Sequence, residues 1–197
     1  MKSLIAASFL SFAMVMPALA APRLGSEAPD FEAVSTNGEA VKLSDIDGVV
    51  VLEWTNDGCP FVKKHYESGN MQATQKTLTE GGAKWITIIS SAPGKQGYVD
   101  AEEANSIAAE HGAMPDYTIL DPTGDIGKLY KAQTTPHMFV IEDGILEYAG
   151  AIDSIPSGNP ADIERAENYV LSAFADIQAG NEVQTASSKP YGCNVKY

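Results

Sequence analysis

The sequence holds only two cysteines, Cys59 and Cys193, and only three histidines. It has half as many basic residues as acidic ones, 13 Lys and Arg against 26 Asp and Glu in 197 residues. Two cysteines cannot build a disulfide scaffold, so a small stapled domain is excluded. His65, His111 and His137 show no metal-ligand spacing. A formal charge of −13 leaves little from which to build the basic face that nucleic acid needs. The same deficit disfavours anionic lipid surfaces. Beyond Ala20 no apolar run is long enough to span a bilayer. What remains is an ordinary globular composition, 44% hydrophobic and 20% charged, on a length that suits one domain.

The start of the chain stands apart. Lys2 supplies a small positive region, Leu4 to Met16 an apolar stretch, and Ala18-Leu19-Ala20 a small-x-small cleavage pattern. This is the pattern of a secretory signal peptide over 1–20. The mature protein is then expected in the periplasm or outside the cell, with no membrane attachment, where disulfides persist. The remainder divides into a domain over 21–180 and a polar tail over 181–197 that carries Cys193.

The local patterns predict an α/β fold. Phe31 to Val34 and Val41 to Leu43 flank the turn Thr36-Asn37-Gly38, an N-terminal hairpin. The run Val49-Val50-Val51-Leu52-Glu53-Trp54 has the continuous apolar character of a strand covered on both faces. Pro60 favours a helix start with Cys59 as the N-cap. That helix breaks at Ser68-Gly69-Asn70, resumes at Met71, and ends at Gly81-Gly82. Lys84 to Ile89 completes a β-α-β unit with parallel strands. Asp100 and Glu103 resemble a capping box ahead of a helix to His111. Tyr117 to Leu120 is a strand. His137 to Ile141 and Ile145 to Tyr148 form a hairpin about Glu142-Asp143-Gly144. A last helix begins at Asn159-Pro160, with Ile163, Ala166, Val170, Ala173, Phe174 and Ile177 on one face.

Cys59 carries the chemistry. A cysteine at a helix N-cap meets the unpaired N–H groups of the first turn and the positive end of the helix dipole. Both favour the thiolate, which is the nucleophile. Lys63 and Lys64 add positive charge nearby. The bland reading, a small buried hydrophobe, gives way to position: the order strand, loop, Cys-Pro, helix puts the thiol at the carboxyl end of a central strand, where open α/β sheets bind ligands. Trp54, Trp85 and Phe61 read as core.

Glu53 to Lys64, with its Cys59-Pro60 step, resembles the active-site strand, loop and helix of thioredoxin-like proteins. Thr134-Thr135-Pro136-His137 resembles their cis-proline segment. Gly25 to Phe31 and Asp121-Pro122-Thr123-Gly124 are similar to the opening and the turn of the redoxin branch, which includes the alkyl hydroperoxide reductase and thiol-specific antioxidant (AhpC/TSA) family. The resemblance covers roughly Gly25 to Ala151. It implies a thioredoxin-like fold, a central mixed sheet flanked by helices with the N-terminal hairpin as an extension. It also implies a thiol-dependent oxidoreductase with no cofactor and no resident metal. Two departures stand out. Val62 occupies the place of the second cysteine of a Cys-x-x-Cys pair, and Asn56 and Leu52 stand where typical peroxiredoxins have threonine and proline.

The resemblance implies Cys59 as nucleophile, Pro136 facing it, and Glu53 as a buried acid able to relay protons. Pro60, Thr135, His137 and Trp54 are the expected substrate-binding residues, although His137 also reads as a hydrogen-bonded strand histidine and Glu53 as a structural one. Cys193 is the remaining thiol. The stretch from Gly180 to Cys193 reaches roughly 40 Å at ~3.3–3.6 Å per residue, enough for Cys193 to resolve an oxidised Cys59 within one chain or across a homodimer. Gly192 frees the backbone beside it, and Tyr191 can anchor on an apolar surface. The partner is a peroxide or a protein thiol or disulfide, and the function an antioxidant peroxidase or a thiol–disulfide oxidoreductase. The alternative is a non-enzymatic thioredoxin-fold binding module, or a copper carrier using Cys59, His137 and Met138.

Overall fold

A computed structural model describes residues 22–197. The segment assigned to a signal peptide lies outside the described residues. A five-stranded sheet forms the centre, with β3 (Val49–Trp54) in the middle. β4 (Lys84–Ile89) and β5 (Tyr117–Leu120) continue it in parallel on one side. β7 (His137–Glu142) and β8 (Ile145–Gly150) continue it antiparallel on the other. Every residue of β3 is buried, which is why its sequence runs apolar without alternation. β1 (Glu32–Val34) and β2 (Ala40–Lys42) make the expected N-terminal hairpin.

The pleat sends alternate side chains to two cores. Val49, Val51, Trp85, Met138 and Val140 face one side, under α1 (Pro60–Glu67), α2 (Asn70–Glu80) and α5 (Tyr169–Gln178). Val50, Leu52, Trp54, Ile86 and Phe139 face the other, under the hairpin and α4 (Asp125–Tyr130). α3 (Ala101–His111) lies against β5. Its first turn is capped by the Asp100 carboxylate, which accepts from the Glu103 N–H at 2.9 Å, and Gly112 closes it at φ +62°. Among the described residues no helix is long and apolar enough to cross a membrane.

One sequence expectation needs correction. The last helix is not continuous from Pro160. Pro160–Arg165 is a short 3-10 helix, and α5 starts only at Tyr169. Between them Asn168 turns its side chain back to accept from the Val170 and Leu171 N–H groups, both at 3.1 Å. A cap of this kind defines a new N-terminus, and it overrides an apolar period that ran through Ala166. The structure also adds a feature of the tail that its aperiodic sequence does not show. The tail is docked along the domain as an extended segment, with β6 (Thr134–Thr135) pairing antiparallel to β9 (Cys193–Asn194). The Ser188 hydroxyl accepts from Ala151 N at 2.9 Å, and Tyr197 Oη donates to Ala132 O at 3.0 Å.

Candidate active site

The turn that delivers Cys59 is built by Asn56. Its carbonyl accepts from the Cys59 N–H at 2.9 Å and its side-chain oxygen from the Gly58 N–H at 3.0 Å. Its amide donates to Gln96 O, and Gln96 Nε2 donates back to Gly58 O at 2.8 Å. Asp57 is held by His111 at 2.7 Å. The loop is therefore braced from outside before helix α1 begins at Pro60. Cys59 sits at the N-cap with extended backbone, φ −87° and ψ 122°, and Pro60 takes the first helical position.

Cys59 is fully buried. Its Sγ lies 3.0 Å from the carbonyl oxygen of Thr135, to which the neutral thiol donates. Thr135 precedes Pro136 through a cis peptide, the conformation the sequence resemblance implies. Directly opposite Thr135, in antiparallel register, is Cys193. The tail thus brings the second sulfur to the first, and both are free thiols.

The two thiols are held unequally. Burial, the largest influence on Cys59, opposes its ionisation. The Cys193 thiol, the Thr135 hydroxyl and the Val62 and Cys193 N–H groups together outweigh it, and the Cys59 pKa falls below the usual thiol value. Cys193 moves the other way, to about 11, through burial and then its bond to Cys59. The two shifts run in opposite directions, so of the pair Cys59 is the thiol that ionises more readily. One consequence is directly measurable. Cys59 titrates below a free thiol in the native chain, and Cys193→Ala, which removes the thiol donor, raises its pKa, read by thiolate absorbance against pH. An unchanged pKa in that variant would contradict the pairing.

The other expected residues are dispersed. Pro136 is buried beside Thr135, and Pro60 is exposed at the start of α1. Glu53 is fully buried on the same face as Val51. Tyr66 Oη donates to its carboxylate at 2.9 and 3.0 Å, Trp85 Nε1 at 3.0 Å and Thr87 Oγ1 at 3.3 Å. Burial raises its pKa, and those donors oppose the rise. Its polar partners are core residues, and none is a cysteine. Trp54 and His137 are paired across β3 and β7 and face the opposite core. The Trp54 indole donates to Ser90 Oγ at 3.0 Å, and His137 Nδ1 accepts from Gln133 N at 3.2 Å. Burial drives the His137 pKa down to about 4. These two are satisfied within the fold, away from the side on which Cys59 packs.

Lys64 also departs from expectation. It is buried and bonded to Asp153 at 2.9 Å, so its charge is neutralised there rather than offered to Cys59. Residues that sequence reasoning missed are Asn56 and Gln96, which shape the loop, and Asp153, 89 positions from Lys64. Only a long polar side chain amid the apolar positions of α1 hinted at that pair. Among the described residues no group of three or more His, Cys, Asp or Glu side chains is placed to hold a metal ion.

Several solved structures share this fold. An uncharacterised conserved protein from Geobacillus kaustophilus is similar, with TM-score 0.72, 24% identity, and coverage of 89% of this chain and 92% of that one. A hypothetical protein from Sinorhizobium meliloti 1021 matches with TM-score 0.70 at 20% identity over 90% of this chain and 96% of that one. A putative thiol:disulfide interchange protein DsbE from Chlorobium tepidum matches with TM-score 0.52 at 23% identity over 66% and 85%. At these identities the likeness is one of fold, and it is thioredoxin-like. No curated protein matches the sequence. The AhpC/TSA family model matches residues 24–149, from the N-terminal lead-in through β8, with the Cys59 loop and the Pro136 segment both inside. The chain belongs to the AhpC/TSA family.

Proposed function

We propose that this is an exported thiol oxidoreductase that cycles between a Cys59–Cys193 dithiol and the corresponding disulfide. A thiol redox role in general follows from the family. The observation that carries the finer reading is the register of β6 with β9, which sets Cys193 opposite the residue whose carbonyl contacts Cys59. With Val62 in place of a local second cysteine, the tail supplies the partner thiol.

Two oxidants fit the same pair. In the disulfide route, the Cys59 thiolate attacks a partner disulfide and releases one partner thiolate. Cys193 then attacks the mixed disulfide at Cys59 and releases the second, leaving the partner reduced and this chain oxidised by two electrons. In the peroxide route, the thiolate attacks a peroxide oxygen, the O–O bond breaks, and an alcohol or water leaves as Cys59 becomes sulfenic acid. Cys193 condenses with it, its S–H proton and the sulfenic hydroxyl leaving as water. Either way an external dithiol must restore the resting state. The complete burial of Cys59 beneath the tail favours a small oxidant for the closed form.

Stopped-flow oxidation of the reduced mature protein separates the routes. Hydrogen peroxide and a small dialkyl disulfide are each mixed in, and intrinsic fluorescence follows oxidation. The expected result is saturation at one disulfide per chain with at least one of the two. If neither oxidises the protein faster than it oxidises free cysteine, the oxidoreductase reading fails. The binding-module reading then takes its place.

A further inference from the structure

A charged cluster beside the redox pair has no part in the chemistry above. Lys64 and Asp153 are both buried, joined at 2.9 Å, with His65 also buried and 3.7 Å from the same carboxylate oxygen. Removing a lysine and an aspartate from water costs several kcal/mol, and such pairs seldom repay it in stability. A buried pair retained in this way calls for something else that it holds.

What it holds is the hydroxyl of Tyr191, two residues before Cys193. The bonds close completely. The Lys64 ammonium spends its three protons on Asp153 Oδ2 at 2.9 Å, Ile155 O at 3.3 Å and Tyr191 Oη at 3.3 Å. Asn70 Nδ2 donates to His65 Nδ1 at 2.8 Å, which leaves the proton of the neutral ring on Nε2. Nε2 then donates to Tyr191 Oη at 3.2 Å. Burial keeps that ring neutral, with a pKa near 4. Tyr191 Oη, receiving from Lys64 and His65, donates its own proton to Asp153 Oδ1. A phenol hydroxyl has one proton to give and two lone pairs to fill, and all three are used. The ring packs edge-on against Phe61, in the first turn of α1, at 5.7 Å between centroids.

We propose that Tyr191 is a positioning residue of the redox pair, and that the Lys64–Asp153–His65 cluster is the seat that locks it, so holding Cys193 against Cys59. The inference rests on the dithiol–disulfide reading, and it adds what sets the strength of that disulfide. The seat lies on helix α1, which Cys59 caps, and on the segment following β8. Tyr191 therefore ties the tail to the element that carries the nucleophile. Between Tyr191 and Cys193 there is only Gly192, so little slack separates anchor from sulfur. Beyond Cys193 the tail is held without a buried charged cluster: Val195 N donates to Gln133 O at 3.0 Å, Ala92 N donates to Lys196 O at 2.8 Å, and the Tyr197 hydroxyl has a single carbonyl partner.

The test is Tyr191→Phe, which keeps the ring against Phe61 and deletes the hydroxyl. Protein disulfide plus two glutathione thiols equilibrates with protein dithiol plus glutathione disulfide, and the constant is read at several glutathione ratios. Losing hydrogen bonds to charged partners should weaken the Cys59–Cys193 disulfide at least tenfold, a rise of ~30 mV in its potential. Tyr197→Phe, which removes a hydroxyl with a single carbonyl partner at the far end, should change it by less than about threefold. A second measurement does not require the disulfide. Hydrogen exchange of the tail amides in the reduced protein should quicken at least tenfold in Tyr191→Phe and leave the β3 and β7 amides unchanged. If the disulfide forms and its constant in Tyr191→Phe stays within twofold of the native one, the positioning role is overturned. If no Cys59–Cys193 disulfide forms in the native protein, the dithiol reading fails. The exchange rates then decide alone whether Tyr191 seats the tail, and unchanged rates overturn that too.

Discussion

A Cys59→Ser protein folds, docks its tail, and has no turnover with either a peroxide or a disulfide. The hydroxyl is smaller than the thiol by a fraction of a bond length and keeps a donor for Thr135 O, which the thiol reaches at 3.0 Å. No buried acceptor is orphaned, so the stability cost is on the order of 1 kcal/mol. What is lost is the ionisable sulfur. A serine hydroxyl is not deprotonated near neutral pH, and the N–H groups of Val62 and Cys193 that favour an anion at this place then have none to stabilise. The rate therefore falls to that of the reaction without protein. Turnover with hydrogen peroxide and with a dialkyl disulfide, alongside a thermal melt, checks both halves. Native-like turnover in the serine protein would move the nucleophile elsewhere.

Gly192→Val should leave the domain folded and uncouple the tail from the site. Gly192 sits at φ +137°, a region that side chains avoid, and a Cβ there would stand 2.0 Å from Thr135 O. That oxygen belongs to the backbone of β6, and it cannot turn away as a flexible side chain would. The clash is relieved only by lifting the tail, which breaks the pairing of Thr135 with Cys193. Of the tail only the partly buried Val183, Cys193 and Val195 pack against the two cores, so the melt is set mainly by the central sheet and the rest of those cores. Cys193 then becomes a thiol on a loose tether, and the advantage of placement over tethering is large. Closure of the Cys59–Cys193 disulfide after oxidation should slow by about a hundredfold or more. Initial oxidation of Cys59 by peroxide should continue, and be faster if the tail limits access. Quenched-flow alkylation with mass readout follows both steps. A closure rate unchanged in Gly192→Val would mean that the tail is not seated as described.

The residues that could be read in advance were those whose partners are close in sequence or whose pattern is periodic. The β3 run shows its double burial because both faces need apolar side chains. The Cys59-Pro60 step shows a helix start because proline and cap chemistry are local. Asp143 and Gly144, both at positive φ, mark their hairpin in the same way. The period of the last helix misled because Ile163 and Ala166 happen to keep phase, while the Asn168 side chain ends one element and begins another. The tail was opaque for a different reason. It docks through backbone pairing, a close approach at Gly192 and isolated tyrosine hydroxyls, none of which has a period. Tyr191 finds Lys64 127 positions away, and only the fold brings them together. Trp54 and His137 show how the pleat, which no short motif states, decides which core a side chain enters. Their places in the sequence match the family pattern, yet the pleat turns both to the core opposite the one that receives Cys59.

The dithiol account turns on whether the two sulfurs join. The mature protein, reduced and desalted, is treated with one equivalent of hydrogen peroxide, blocked with an alkylating reagent, and digested without reductant. The account predicts one dominant cross-linked peptide pair containing Cys59 and Cys193, formed at a rate independent of protein concentration because both thiols belong to one chain. Cys59 recovered as sulfinic acid or as a mixed disulfide with added thiol, beside a fully alkylated Cys193, would contradict it.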